Sequence, residues 1–144
     1  MQETRTPQSL QTVARGLARL SRLRARAAAR ITPQQAEALQ LIADHGALSI
    51  SSLAVRLGID PSTASRNLAG LERAGYIVRR RGKEDSRLTD AYLTPRGKRI
   101  AEAVCAEWTA TYVSLLERMP RLERQRIADA LELLAHALEG RNAK

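Results

Sequence analysis

Apolar residues recur along most of this chain at the three- and four-residue intervals of a helix, and the breaks in that rhythm mark its boundaries. Leu10, Val13, Leu17 and Leu20 fall on one face of a helix predicted over Gln8–Arg30, with arginines around the rest of it. Arg24 takes the next stripe position, so the stripe fades toward Ala27. Thr32-Pro33-Gln34-Gln35 restarts the pattern: threonine caps, proline fits the first helical position, and the glutamine three residues on completes a capping box. Ala36, Leu39, Ile42 and Ala43 stripe this second helix, and Gly46 stops it. Ser49–Gly58 reads as a short third helix with Leu53, Ala54 and Leu57 inward. Asp60 and Pro61 open a fourth, with Ala64, Leu68 and Leu71 buried and Gly75 at its end.

The period then changes. Tyr76-Ile77-Val78 is β-rich, a basic glycine-containing stretch Arg79–Arg87 follows, and Leu88–Leu93 is a second strand-like run, which together predict a β-hairpin with a basic tip. Thr94-Pro95 caps a long helix to Met119 with Ile100, Val104, Trp108, Tyr112 and Leu115 on one face. Pro120 punctuates it. Ile127, Leu131, Leu134 and Leu138 stripe a last helix that Gly140 terminates. No internal repeat or low-complexity linker divides the chain, so one cooperative unit of mainly α (α+β) class is expected.

Composition supports helices. Aromatics are 3% of the 144 residues and Phe is absent, so Leu, Ala, Ile and Val must build the core, which suits packed helices better than a sandwich or barrel. The formal charge of +9 predicts an acidic partner such as nucleic acid. An anionic membrane surface would also fit that excess, which is concentrated in two blocks: seven Arg against Glu3 in residues 1–30, and eight Lys/Arg against three acids in 79–99, with near-neutral stretches elsewhere. A single cysteine excludes an internal disulfide and any multi-cysteine zinc module. His45 and His136 lie far apart with no acid cluster beside either, so no metal or cofactor is expected. No run of about 20 apolar residues and no signal-peptide core is seen, so a soluble cytoplasmic protein without membrane association is expected. No nucleophile-base set, phosphate loop or paired carboxylates suggests an enzyme.

Residues Ser52–Leu71 carry the sharpest pattern. Ala54 stands where two helices must approach closely, Gly58 where a tight turn favours a residue without Cβ, and Ala64 ten positions after Ala54, inside the second helix. At 100° per residue, Ser62, Arg66 and Arg73 lie opposite the Ala64–Leu68–Leu71 stripe, with Thr63 and Ser65 on its flanks. Arginine can pair bidentately with guanine, and Ser and Thr can contact bases or phosphates, as a recognition helix in a major groove requires.

The segment LAVRLGIDPSTASRNLAGLERAGYIVRR, followed by EDSRLTDAYLTPRG, closely resembles the multiple-antibiotic-resistance-regulator (MarR) family of winged helix-turn-helix transcription factors. The matches are Arg66, Leu71-Glu72 before Gly75, Asp85 and Arg87 in the wing, and Leu93-Thr94 with Gly97 after it. Ser86 stands where the wing often has a further Arg, and Ala64 where Val is frequent.

The resemblance implies a homodimer on double-stranded DNA, with residues 32–99 as the winged helix-turn-helix lobe and 1–31 and 100–144 as dimerisation helices. It implies base and phosphate contacts from Ser62, Thr63, Ser65, Arg66, Arg73, Arg80, Arg81, Lys83 and Arg87, with Asp85 supporting the wing. It further implies repression at a pseudo-palindromic operator, and release by a small aromatic or anionic effector, for which Arg19, Trp108 and Tyr112 are candidate pocket residues. Two alternatives stand beside it: a winged-helix protein-interaction module, and a redox-responsive regulator using Cys105. Cys105, next to Val104, is expected to be a small buried apolar residue.

Overall fold

The caps written in the sequence are made. In the computed structural model, which describes residues 5–139, Thr32 Oγ1 accepts from the Gln35 amide at 3.2 Å and Gln35 Oε1 accepts from the Thr32 amide at 3.0 Å. This reciprocal box opens α2 (Pro33–His45), after α1 (Arg5–Ala29). Ser49 caps α3 (Ile50–Leu57), Asp60 caps α4 (Pro61–Arg73), and Thr94 caps α5 (Pro95–Glu117). A 3₁₀ turn at Arg121–Glu123 leads into α6 (Arg124–Glu139). The predicted stop at Gly140 lies outside the described residues, as do the side chains of Arg24 and Ala27.

The hairpin is β2 (Ile77–Arg81) against β3 (Thr89–Leu93), antiparallel, with Ile77 opposite Leu93 and Arg81 opposite Thr89. The sequence reading put Arg79–Arg81 in the tip; they are strand residues instead, because main-chain pairing with β3 continues whatever their side chains. A third strand, β1 (Leu48–Ser49), pairs with β3 through Leu48–Ala91 and Ser49–Asp90, giving the order β1-β3-β2. Two residues are too few to show a period, so the sequence pattern gave no sign of it.

The core sits where α2 meets α3, α4, α5 and the sheet. Leu39, Ile42, Leu53, Leu68, Leu71, Ile77 and Val104 are fully buried there. Ala43, predicted inward, is exposed although it shares a side of α2 with buried Ala36 and Leu39: it lies in the last turn, two residues before the helix ends. Cys105 is also exposed, correcting its expected burial, because one residue past Val104 it is turned about 100° off the packed face of α5. Along that face burial fades from Val104 through half-buried Trp108 to exposed Tyr112.

The terminal helices differ. α1 packs on α5, yet no described side chain of α1 or α6 is fully buried. Leu10 and Val13 of the first stripe, and Leu131 and Leu138 of the last, lie exposed. No helix among the described residues is long and apolar enough to cross a membrane.

Candidate nucleic-acid interface

The turn between α3 and α4 brings the two helices together at small residues. Ala54 is 2% exposed and Ala64 fully buried. Gly58, at φ 63° and ψ 36°, ends α3 in the left-handed region, where its amide and that of Ile59 satisfy the Val55 and Ala54 carbonyls at 3.2 and 3.0 Å. The sequence asked for a residue without Cβ at this point, and the backbone shows why.

Asp60 organises the start of α4. Its carboxylate accepts from the Thr63 amide at 2.9 Å, from the Thr63 hydroxyl at 2.6 Å, and from the Ser62 hydroxyl. The Ser62 and Thr63 hydroxyls, then the Thr63 amide, hold this carboxyl well below the usual carboxylate range. Thr63 Oγ1 in turn accepts from Arg66 Nη2 at 3.1 Å. Ser62 and Arg66 are exposed, and Thr63 and Ser65 half-buried beside them. Arg73 is exposed too, but eleven residues along the helix place it about 16 Å from Ser62. Arg73 is therefore not part of the same cluster.

The wing is a tight structure. The Gly82 amide donates to the Leu88 carbonyl at 2.9 Å and the Leu88 amide to the Asp85 carbonyl at 3.0 Å. A Cβ on Gly82 would stand 2.6 Å from that same Asp85 oxygen, so only glycine closes the loop without a shift. Asp85 accepts from the Arg87 amide at 2.9 Å and from Arg87 Nε at 3.2 Å. The backbone bond first, and then the guanidinium, lowers the Asp85 pKa. The Arg87 side chain is nevertheless 89% exposed: one edge of its guanidinium, Nε and Nη2, faces the Asp85 carboxylate and the rest is open. Arg80, Arg81 and Lys83 are exposed as well. Successive strand residues point to opposite faces, so Arg80 and Arg81 do not form one patch.

Two residues outside the predicted set join wing to helix. Arg79, in β2, donates from Nε to Glu72 Oε2 at 2.8 Å, and that bond lowers the Glu72 pKa. The pairing crosses the Gly75 turn and fixes the base of the wing against the last turn of α4. An acid and a base seven residues apart across a glycine was the available signal.

Arg19, Trp108 and Tyr112, the predicted effector residues, line neither the hollow between α1 and α5 nor the cleft between α1, α2 and α4. Arg19 and Tyr112 are exposed, and Trp108 packs against the core with its indole N–H buried and unpartnered. The hollow between α1 and α5, about 240 Å³, is lined by Leu20, Ala110, Thr111, Ser114, Leu115 and Arg118. A larger open cleft of about 550 Å³ lies between α1, α2 and α4, with Arg22, Gln34, Glu37 and Asn67 in its wall. Across it Asn67 Nδ2 donates to Gln34 Oε1 at 3.0 Å. No group of three or more metal-ligating side chains is found among the described residues.

Comparison with known proteins places this arrangement. Residues 31–89 match the family model described as MarR family. The chain is 31% identical over 110 residues to the uncharacterized HTH-type transcriptional regulator YfiV of Bacillus subtilis, covering 76% of this chain and 68% of that one. It is 31% identical to the HTH-type transcriptional repressor MdtR of the same organism, covering 79% and 76%. Its fold matches the crystal structure of Streptococcus pneumoniae FabT in complex with DNA at a TM-score of 0.79 and 21% identity, over 96% of this chain and 98% of that one. With the turn at Gly58, the capped α4 and the Asp85–Arg87 wing all in place, the chain belongs to the MarR family of winged helix-turn-helix, DNA-binding transcriptional regulators.

Proposed function

We propose that this protein represses transcription in the cytoplasm by binding a pseudo-palindromic operator as a homodimer. In this reading residues 32–99 form the DNA-binding lobe, and 1–31 and 100–144 supply the dimer interface. The observation that carries it is that Ser62 and Arg66 on α4 and Arg87 at the wing are exposed, and that each is oriented by a carboxylate-centred network, around Asp60 and Asp85 respectively. A helix with this end outward enters a major groove, where the Arg66 guanidinium pairs with guanine O6 and N7. Arg87 enters the adjoining minor groove, whose negative potential is strongest where A·T-rich sequence narrows it. Lys83 and the exposed strand arginines meet phosphates. MdtR, a repressor by name, supports the direction of regulation.

A small effector releases the DNA in this account. The cleft containing Arg22, Gln34, Glu37 and Asn67 stands beside Arg19, Trp108 and Tyr112 as a second place for it, because the Gln34–Asn67 bond links that cleft to α4.

The test is a titration of Arg66→Ala and Arg87→Ala against a duplex selected from a random library and its scrambled counterpart, at several salt concentrations. Arg66→Ala is expected to cost about 1–3 kcal/mol and to relax base preference at one position per half-site. Arg87→Ala weakens binding to every sequence and lowers the salt slope by about one unit. Equal, sequence-independent losses would remove base reading from α4. Binding that hardly responds to salt would favour a protein-interaction module.

A further inference from the structure

We propose that Asp60 sets the hydrogen-bond polarity of the α4 tip, so that Ser62 and Thr63 meet the major groove as acceptors and read the exocyclic amino group of an adenine or a cytosine. The inference rests on the reading that α4 enters the major groove, and adds to it the class of base edge that these two side chains recognise.

An ionised carboxylate has no proton to give, so every hydroxyl bonded to it must be the donor. Both hydroxyls at the helix tip are bonded to Asp60: Ser62 to Oδ1, and Thr63 to Oδ2 at 2.6 Å. A hydroxyl has one proton. With both protons directed at Asp60, what Ser62 and Thr63 have left is lone pairs. Thr63 already uses one of these, accepting from Arg66 Nη2 at 3.1 Å, which confirms its polarity from the other side. Ser62 is exposed, so its lone pairs are accessible.

The bases and phosphates can be sorted by the same rule. Phosphate oxygens, guanine O6 and N7 and thymine O4 are acceptors and repel an acceptor set opposite them. Adenine N6 and cytosine N4 carry donor hydrogens in the major groove and fit. The Asp60 charge adds to this, since a carboxylate at the tip disfavours approach of a phosphate. Asp60 therefore turns two side chains that in general contact either phosphates or bases into readers of amino groups. It also places Arg66 through Thr63, leaving the remaining guanidinium N–H groups for a guanine. The tip then carries acceptors at Ser62 and Thr63 and donors at Arg66.

The experiment selects the preferred duplex from a random library. It then removes single amino groups from that duplex, replacing adenine by purine or cytosine by 2-pyrimidinone. For the wild-type protein, one such deletion per half-site is expected to weaken binding on the order of tenfold, with guanine and thymine rejected at the same position. Asp60→Ser keeps a hydroxyl to cap α4 but cannot accept from both side chains. It is expected to tolerate all four bases there within about twofold, with its helical circular dichroism unchanged. Asp60→Asn, which keeps one acceptor oxygen, is expected to fall between the two and remains usable if the serine variant folds poorly. A selected half-site indifferent to amino deletion would overturn the proposal. So would Asp60→Ser and Asp60→Asn proteins that keep the wild-type amino preference; either result leaves α4 as the reading helix. If Ser62→Ala, Thr63→Val and Arg66→Ala each leave the selected sequence unchanged, the underlying reading of α4 falls, and this one with it.

Discussion

The lobe from Ile31 to Thr94 and the helices at the two ends of the chain carry apolar stripes of the same period, yet the fold treats them differently. In the lobe, Leu39, Ile42, Leu53, Leu68, Leu71 and Ile77 are buried, and of its large apolar side chains only Val55 and Leu88 are well exposed. In the terminal helices Leu10, Val13, Leu23, Val113, Leu131, Leu133 and Leu138 all lie open. Isolated exposed leucines are ordinary, but this many on three helices is a surface waiting for a partner. The lobe is complete within one chain. In the proposed dimer a second copy completes the ends, and the difference separates what a mutation does to folding from what it does to assembly.

Deleting residues 1–25 breaks the comparison most severely. The lobe core is untouched, so its helices and hairpin are expected to persist. Two linked half-sites become one, and affinity for a two-half-site duplex is expected to drop on the order of 100-fold or more. A truncated protein that stays dimeric with unchanged affinity would show that α1 is not part of the interface.

Next in size, Leu68→Ala removes a fully buried side chain from the lobe. It is expected to cost about 2–5 kcal/mol of folding stability, read as a lower urea midpoint. That loss should be the same at every protein concentration. Leu131→Ala, in the exposed stripe of α6, should act on assembly instead: a loss of about 1–2 kcal/mol in dimerisation, with consequences that grow on dilution. Concentration dependence that follows Leu68 rather than Leu131 would reverse the assignment.

The smallest effect concerns pH. Glu72, lowered from its ordinary value of 4.5 by its bond to Arg79, contributes stability that is present above that value and is lost as pH falls through its lower folded value. The wild-type urea midpoint is therefore expected to decline through the acidic range more than that of Glu72→Gln. The difference between the two proteins is expected to be largest near neutrality and to close at acid pH, once Glu72 is protonated in the folded protein. An identical pH profile for both proteins would mean that the Glu72–Arg79 bond does not hold the wing to α4.

Much of this was legible in the sequence, for local reasons. Caps at Thr32, Asp60 and Thr94 each involve residues within three positions of one another, so a short motif contains the whole interaction. The Ala54, Gly58 and Ala64 spacing works because two helices and one turn impose fixed offsets. What was missed depends on pairing across distance. β1 exists because Leu48 finds Ala91, and Arg79 becomes half-buried because Glu72 faces it across a turn. Cys105 and Ala43 are exposed against expectation because a helical stripe states only a direction, and tertiary packing decides how far burial extends around and along the helix. The proton directions at Ser62 and Thr63 depend on how both side chains fold back on Asp60: the sequence offers Asp60 as a cap, not as the acceptor for two further hydroxyls.

The most direct test of the central claim is sedimentation equilibrium of the full chain, alone and with a duplex carrying two half-sites. A dimer is predicted, with twice the 15.9 kDa of one chain, and two copies bound per duplex. A stable 15.9 kDa monomer that binds one half-site as tightly as two would contradict it.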